Sequence, residues 1–286
     1  MRKLKTYIPW WTKIGAKIIL SRLPIPYSFW KKINLISHGD MEDPNYAYQV
    51  FRQYFDKFYT NQKDFVSLEL GPGDSLFSAL ISKAVGGGKS YLVDVGDFAN
   101  RDLTKYQAMA QVLKDKNLPI SGIENCQNLT EMLELCFASY LTSGLASLKD
   151  IPDCSVDFIW SHGVIELIRR SEVLETLKEL RRISKPDGIS CHLIPLVDSL
   201  GELNNLRFSN KVWESNFMAS SGFYANRLRY SQLLELFKEA GFATEVVEIR
   251  RWDTLPTPKS KLSKEFCAMS DEELNIYSFL VILQPA

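Results

Sequence analysis

Phe65-Val66-Ser67-Leu68-Glu69-Leu70-Gly71-Pro72-Gly73-Asp74-Ser75 is the stretch that decides the fold. A short apolar run ends on two closely spaced glycines, and an apolar-periodic segment, 76–85, follows at once. That is a strand, a tight turn and a helix, one βα unit. Glycine lets the backbone turn sharply and come close to a ligand, and the following helix points unpaired N–H groups at the same spot. A nucleotide-like ligand is expected there, with a plain strand-to-helix turn as the alternative. The third glycine of a dinucleotide fingerprint is missing, since position 76 is Leu76. Glu69, just before the turn, suits a cationic amine better than a pyrophosphate.

Working outward, the alternation repeats. Gly86-Gly87-Gly88 punctuates, 90–95 reads as a second strand and 103–113 as a helix. A helix over 129–137 precedes a weak strand at 140–142. Residues 156–161 form a strand and 172–183 a helix, closed by Lys185-Pro186-Asp187-Gly188. The strand 189–194 leads into an irregular stretch, 195–227, too long for an ordinary connection and expected to cover a site. A helix over 231–240 and two apolar runs, 243–249 and 277–283, end the pattern as an antiparallel pair at a sheet edge. Before the first unit, Asp43-Pro44 starts an amphipathic helix through Tyr46, Val50, Phe51, Tyr54, Phe55 and Phe58. Such alternation implies a mostly parallel sheet with helices on both faces. Ligands then bind beyond the carboxyl ends of the strands, at 69–75, 94–97, 142–147, 160–166 and 192–198.

The chain has 286 residues, 45% hydrophobic, with 34 basic and 34 acidic side chains. This excludes a disordered or collagen-like chain and fits one large domain with an appendage. Five cysteines with no C-x-x-C pair indicate neither a disulfide framework nor a zinc knuckle, and no metal set is expected. A reducing cytoplasm is the expected compartment. Residues 1–39 hold eight basic residues and no acid, leaving 26 basic against 34 acidic elsewhere. Mixed with Trp10, Trp11, Ile18, Ile19 and Trp30, this basic segment reads as a helix packed on the main domain or as a peripheral contact with an anionic membrane surface. Lys13 and Lys17 interrupt any signal-peptide pattern. An acidic main domain disfavours nucleic acid as a partner.

Asp94 ends the second strand 21 residues after Gly73, the distance at which a carboxylate in this fold accepts hydrogen bonds from a ribose. Gly88-Lys89-Ser90 is no phosphate loop, because position 83 is Lys83 and a strand follows. With "SVDFIWSHGVIELI" (155–168) and "LKELRRISKPDGI" (177–189), the glycine turn and Asp94 resemble the successive motifs of class I S-adenosylmethionine-dependent methyltransferases. The resemblance implies an α/β, Rossmann-like, seven-stranded mostly parallel sheet over 61–286. A helical, basic-aromatic lid or docking segment is expected over 1–60, and a substrate-cap insertion at about 195–229. Glu69, Gly71, Pro72 and Gly73 would cradle the methionine part of the cofactor, Asp94 the ribose, and the 144–147 turn with Gly144 and Leu145 the adenine. Ser161 and His162 would complete the pocket. The sequence departs from the family in having no histidine after Glu166, and in showing Ser143-Gly144-Leu145 where an acid is frequent. "YIPWW", "HGDMEDPNYA", "HLIPLVD", "NNLRFSNKVWES" and "YANRLRYSQLLELFKEAGF" are similar to a bacterial subgroup associated with surface-glycan and small-molecule tailoring.

A methyl sulfonium is intrinsically a donor, so the protein has chiefly to align an acceptor and exclude water. If the acceptor is an alcohol, a neutral imidazole suits the departing proton. His192, near Asp198 in sequence, is the first candidate base; His162 and His38 follow, each with a purely structural role as the alternative. Asn205, Arg207, Trp213, Tyr224 and Arg227 in the insertion are residue types that hold hydroxyls, phosphates or sugar faces. O-methylation of a sugar, glycan precursor or small metabolite is the leading expectation. N-methylation of a small amine is the nearest alternative, and a noncatalytic cofactor-binding module is the alternative of another class.

Overall fold

The computed structural model describes residues 9–20, 22–23, 40–58 and 63–286. His38, the Pro24-Ile25-Pro26 break and Trp30 lie outside them. Helix α1 (Trp10–Leu20) and helix α2 (Pro44–Phe58) precede the sheet. Then come β1 (Phe65–Leu70), α3 (Phe77–Ala84), β2 (Gly87–Val93), α4 (Leu103–Asp115), α5 (Leu129–Leu135), β3 (Ala138–Leu141), α6 (Leu145–Lys149) and β4 (Val156–His162). The second half comprises α7 (Val173–Ile183), β5 (Ser184–Pro195), the short α8 (Asn210–Trp213) and α9 (Asn216–Ala219), α10 (Tyr230–Glu239), β6 (Phe242–Arg251), α11 (Lys264–Cys267), α12 (Asp271–Asn275) and β7 (Ile276–Pro285).

The seven strands form one sheet in the order β3-β2-β1-β4-β5-β7-β6. The first five are parallel, and β7 runs antiparallel to both β5 and β6. This is the expected α/β sheet. The order reverses between β1 and β4, the place where such a sheet opens a crevice at its carboxyl ends.

Local chemistry sets the boundaries. Asp102 and Asn128 cap α4 and α5 by accepting from the N–H groups of Thr104 and Glu131. β2 begins at Gly87, earlier than its apolar run suggests, because a Cβ at Gly87 or Gly88 would meet Ser82 or the backbone of Asp64. β5 likewise begins at Ser184, so the segment 185–188 is a bulge in the strand and not a helix stop. Buried Asp157 fastens that bulge: one carboxylate oxygen accepts from Lys185 Nζ at 2.7 Å, the other from the N–H of Val66 at 2.7 Å. The insertion is also less irregular than expected, being built of a 3-10 turn at Asn204–Arg207 with α8 and α9.

One sheet face is closed by α6, α7 and α10 around Leu177, Leu180, Leu233 and Phe237. The other is closed by α2, α3, α4 and α5. On α2, Ala47, Val50, Phe51 and Tyr54 recur at helical spacing and are buried. Phe51 meets Phe158 and Trp160 edge-on, while Tyr54 stacks on Trp160 at 5.3 Å. Each such side chain contributes about 1.5–3 kcal/mol of burial. This packing brings the N-terminal helix onto β4, beside the crevice.

Candidate active site

The glycine turn is positioned by β1 and braced by its neighbours. The N–H of Gly71 donates to the carbonyl of Val93 at 2.8 Å, and Gly71 has φ +72. The N–H of Gly73 donates to Asp94 Oδ2 at 2.9 Å, and that of Val95 to Asp94 Oδ1 at 2.7 Å. The two expected motifs therefore meet directly, and the Gly73 donor is aimed at Asp94 and not at open space. These bonds fix the Asp94 carboxylate at the end of β2, beside the glycine turn. The N–H of Gly144 donates to the Asp94 carbonyl at 2.8 Å, which sets the start of α6 beside the end of β2. Val95 stands between them, 78% exposed and in contact with the Gly144 position, an apolar surface suited to a flat base. Leu145, half-buried, opens α6 on the same side.

Glu69 is buried at the end of β1, its carboxyl accepting from Ser78 Oγ. Burial pushes its pKa up to about 8, opposed by the Ser78 hydrogen bond and helped by the nearby Asp94 charge. A cationic amine close by would reverse that shift. Pro72 is buried and stiffens the turn. Asn100 and Lys105 tie the start of α2 to this region: Asn100 Nδ2 and Lys105 Nζ both donate to Glu42 Oε1, at 2.9 and 2.7 Å. The N–H of Asn100 donates to the carbonyl of Asp74. An open recess, here the cleft, lies at the start of α2, lined by Asp40, Glu42, Asp43, Pro44, Asn45, Tyr46 and Gln49.

His162 ends β4 between these parts. Its Nδ1 shares a hydrogen bond with Tyr54 Oη at 2.5 Å, and its Nε2 lies 3.5 Å from Tyr46 Oη at the cleft. Desolvation, helped by the positive charge of Arg250, lowers its pKa from the usual value, so the ring is neutral near pH 7. In the tautomer that donates Nδ1–H to Tyr54, the Nε2 lone pair faces Tyr46 and the cleft. Both tyrosines were legible only as parts of an amphipathic helix. Their spacing is that of the helix's core-facing residues, so no local signal sets them apart.

His192 is placed differently from its expected role. It is fully buried on β5, its Nδ1 2.8 Å from Ser161 Oγ and its Nε2 without a partner. Desolvation pulls its pKa down to about 3. It is a core imidazole and cannot serve as a base for an acceptor. Asp198 does not orient it, because its carboxylate accepts from the backbone N–H groups of Leu200, Glu202 and Asn204 and so builds its own turn. Ser161 is also fully buried against His192, which removes its hydroxyl from the cofactor surface.

The insertion residues hold the cap together. Trp213 is buried and donates from Nε1 to the carbonyl of Ala225 at 2.7 Å. Buried Arg227 donates to the carbonyls of Asn205 and Phe208 and to Asn210 Oδ1, and burial lowers its pKa to about 10. Tyr224 donates to Glu214 at 2.8 Å and accepts from the N–H of Arg170. Arg207 lies over the Trp10 ring at 4.7 Å and donates to Asn204. Asn205 is buried. These types were read as ligand-binding, but apart from Asn205, whose Oδ1 is buried without a partner, they engage carbonyls, carboxylates and rings of the chain itself. Arg229 is similar: its guanidinium spans the carbonyls of Leu196, Glu273, Leu274 and Ile276.

Residues 68–191 match the family model described as a methyltransferase domain. The stretch contains β1 to most of β5, and with it the glycine turn, Asp94 and His162. The sequence matches no curated protein. Among solved structures, an S-adenosylmethionine-dependent methyltransferase of Methanosarcina mazei is 14% identical, covering 82% of this chain and 96% of its own, with a TM-score of 0.49. One from Aquifex aeolicus is 18% identical, covering 91% and 98%, with a TM-score of 0.42. Likenesses at this level say nothing of the acceptor. The groups around the glycine turn fit S-adenosylmethionine: carboxylates for its amine and ribose hydroxyls, and an exposed apolar side chain for its base.

Proposed function

We propose that this chain methylates a hydroxyl group on a small polar acceptor, a sugar, glycan precursor or related metabolite, with His162 as the base. The observation that carries the reading is a neutral imidazole at the carboxyl end of β4, anchored by Tyr54 and turned toward Tyr46 and the cleft. S-adenosylmethionine, when bound, supplies an electrophilic methyl group. Glu69 and Asp94 hold its amine and ribose. His162 Nε2 would take the proton of the acceptor hydroxyl, and Tyr54 keeps the ring in the required orientation. Residues 40–58 act as a lid that supplies both tyrosines, and the cap over 195–229 closes the opposite side. The bacterial small-molecule and glycan-tailoring subgroup is the finer placement that this reading favours.

The carboxylates of Asp40, Glu42 and Asp43 on the cleft favour a second reading, N-methylation of a cationic amine. Methyl transfer from labelled S-adenosylmethionine to panels of sugars and of amines separates the two. For a hydroxyl acceptor His162→Gln lowers kcat by about 10²–10⁴, with S-adenosylhomocysteine affinity kept. Turnover confined to amines and indifferent to His162 would overturn the first reading, and cofactor binding with no turnover on either panel would leave a binding module.

A further inference from the structure

Five of the ten large hydrophobic side chains exposed among the described residues cluster in one place: Trp11, Ile19, Leu23, Val212 and Phe217. They belong to α1, the turn after it, and the cap helices α8 and α9. The helix α1 packs through Trp10, Ile14 and Ile18 onto Trp213, Met218, Phe223 and Tyr224. Trp11, Gly15 and Ile19 repeat every four residues and form the adjoining stripe, turned outward. Arg22 joins the two parts, since its guanidinium lies 3.9 Å from the centre of the Phe217 ring and donates to the Phe217 carbonyl.

The charges around this patch are predominantly basic. Residues 9–23 include Lys13, Lys17 and Arg22 and no carboxylate. Arg207 covers Trp10, Arg169 donates to Asn216 on α9, and Lys211 follows Asn210 on α8. The acids of this region are engaged, Glu214 by Tyr224 and Glu265 by Asn210 on α8, and both face Arg227. An eleven-residue helix spans only about 16 Å, too short to cross a bilayer, and none of the described helices is long and apolar enough to do so. A short helix with an aromatic and aliphatic stripe inside a cationic rim has the build of an element that lies in a lipid headgroup layer.

We infer that α1 and the cap helices α8 and α9 form one docking face for an anionic lipid surface, with Trp11, Ile19 and Phe217 entering the headgroup region and Lys13, Arg22 and Lys211 meeting lipid phosphates. This goes beyond the methyl-transfer reading and does not rest on it. Because Ile14 ties α1 to Trp213, a docked α1 carries the cap with it.

The test is flotation of the full chain with vesicles rich in phosphatidylglycerol and with vesicles of phosphatidylcholine alone, each at low and high salt. The expected result is binding to the anionic vesicles that weakens with salt. Trp11→Ser/Ile19→Ser and, separately, Phe217→Ser should each lower it by about tenfold, while Val247→Ser on the far sheet edge leaves it unchanged. Circular dichroism of each variant establishes that it is folded, and Phe217→Ser tests the face without altering α1. No binding to anionic vesicles overturns the inference, as do equal binding to phosphatidylcholine or binding that survives both sets of substitutions. Self-association abolished by the same substitutions, with no vesicle binding, would assign the face to a second copy and overturn it too.

Discussion

Replacing Gly71 by alanine tests the glycine turn where it is most constrained. Gly71 has φ +72, and a Cβ there would lie 2.5 and 2.8 Å from the two methyl groups of Val164. The left-handed backbone costs an alanine about 1–2 kcal/mol, and forcing a methyl group into packed surroundings costs about 1–3 kcal/mol. Gly71→Ala should thus destabilise by about 2–5 kcal/mol. Val164→Ala removes the opposing methyls at a cost of its own of about 1–2 kcal/mol. In the double variant the clash term disappears, so the two costs should fall short of additivity by about 1–3 kcal/mol. Equilibrium urea unfolding of the four proteins measures the cycle, and calorimetric titration with S-adenosylhomocysteine follows the turn itself. Affinity should fall in Gly71→Ala and partly return in the double variant. A Gly71→Ala protein within about 0.5 kcal/mol of the parent, or strict additivity with Val164→Ala, would refute the reasoning.

Three further outcomes are expected. The Glu69 carboxyl, with its pKa raised to about 8 by burial, holds its proton at pH 7 in the free protein, and the ligand's ammonium draws out the ionised form. Titration with S-adenosylhomocysteine at pH 7 in buffers of different ionisation enthalpy should therefore show a proton released, abolished in Glu69→Gln. The same shift, upward from 4.5, means that the folded state binds this proton more tightly than the unfolded one. Its contribution to stability declines as pH rises from the ordinary carboxyl value toward about 8, and unchanged stability of the ligand-free protein across that window, relative to Glu69→Gln, would contradict it. Asp94→Ala should weaken S-adenosylhomocysteine binding by about 10–100-fold without unfolding the protein; intact affinity would remove Asp94 from the site. His192→Ala should keep kcat per folded molecule within about threefold while losing about 2–4 kcal/mol of stability, and a folded variant with no turnover would restore His192 to the chemistry. Its depressed pKa also predicts stability lost as pH falls through 6.5 toward about 3.

What could be read from the sequence was whatever local pattern encodes. The β1 run, the glycine pair and the spacing to Asp94 each depend on neighbours in the chain, and they meet in space as expected. The position of β7 between β5 and β6 depends on long-range pairing and was legible only as an antiparallel pair. Tyr46 and Tyr54 carried the same helical spacing as Val50 and Phe51, so nothing local separated hydroxyls aimed at His162 from rings aimed at the core. In the cap, Trp213 and Arg227 are the residue types of binding sites, but type does not tell inside from outside. A guanidinium held by Asn205, Phe208 and Asn210 is as well placed as one holding a ligand. His192 misled for the same reason, since its position beside the insertion says nothing of the six residues of β7, 278–283, that pair with β5.

The late arrival of β7 has a consequence for how the chain is made. β6 is synthesised before it, yet finds no place in the sheet until Ile276–Pro285 has entered beside β5. Arg229 is buried against the carbonyls of Glu273, Leu274 and Ile276, so the cap's last anchor also waits for that segment. A nascent chain on the ribosome can assemble β1 to β5 around the cofactor turn, but it carries an open β5 edge and an unclosed cap until the final strand emerges. The emergence of Ile276–Pro285, and not of the glycine turn, is what closes this sheet.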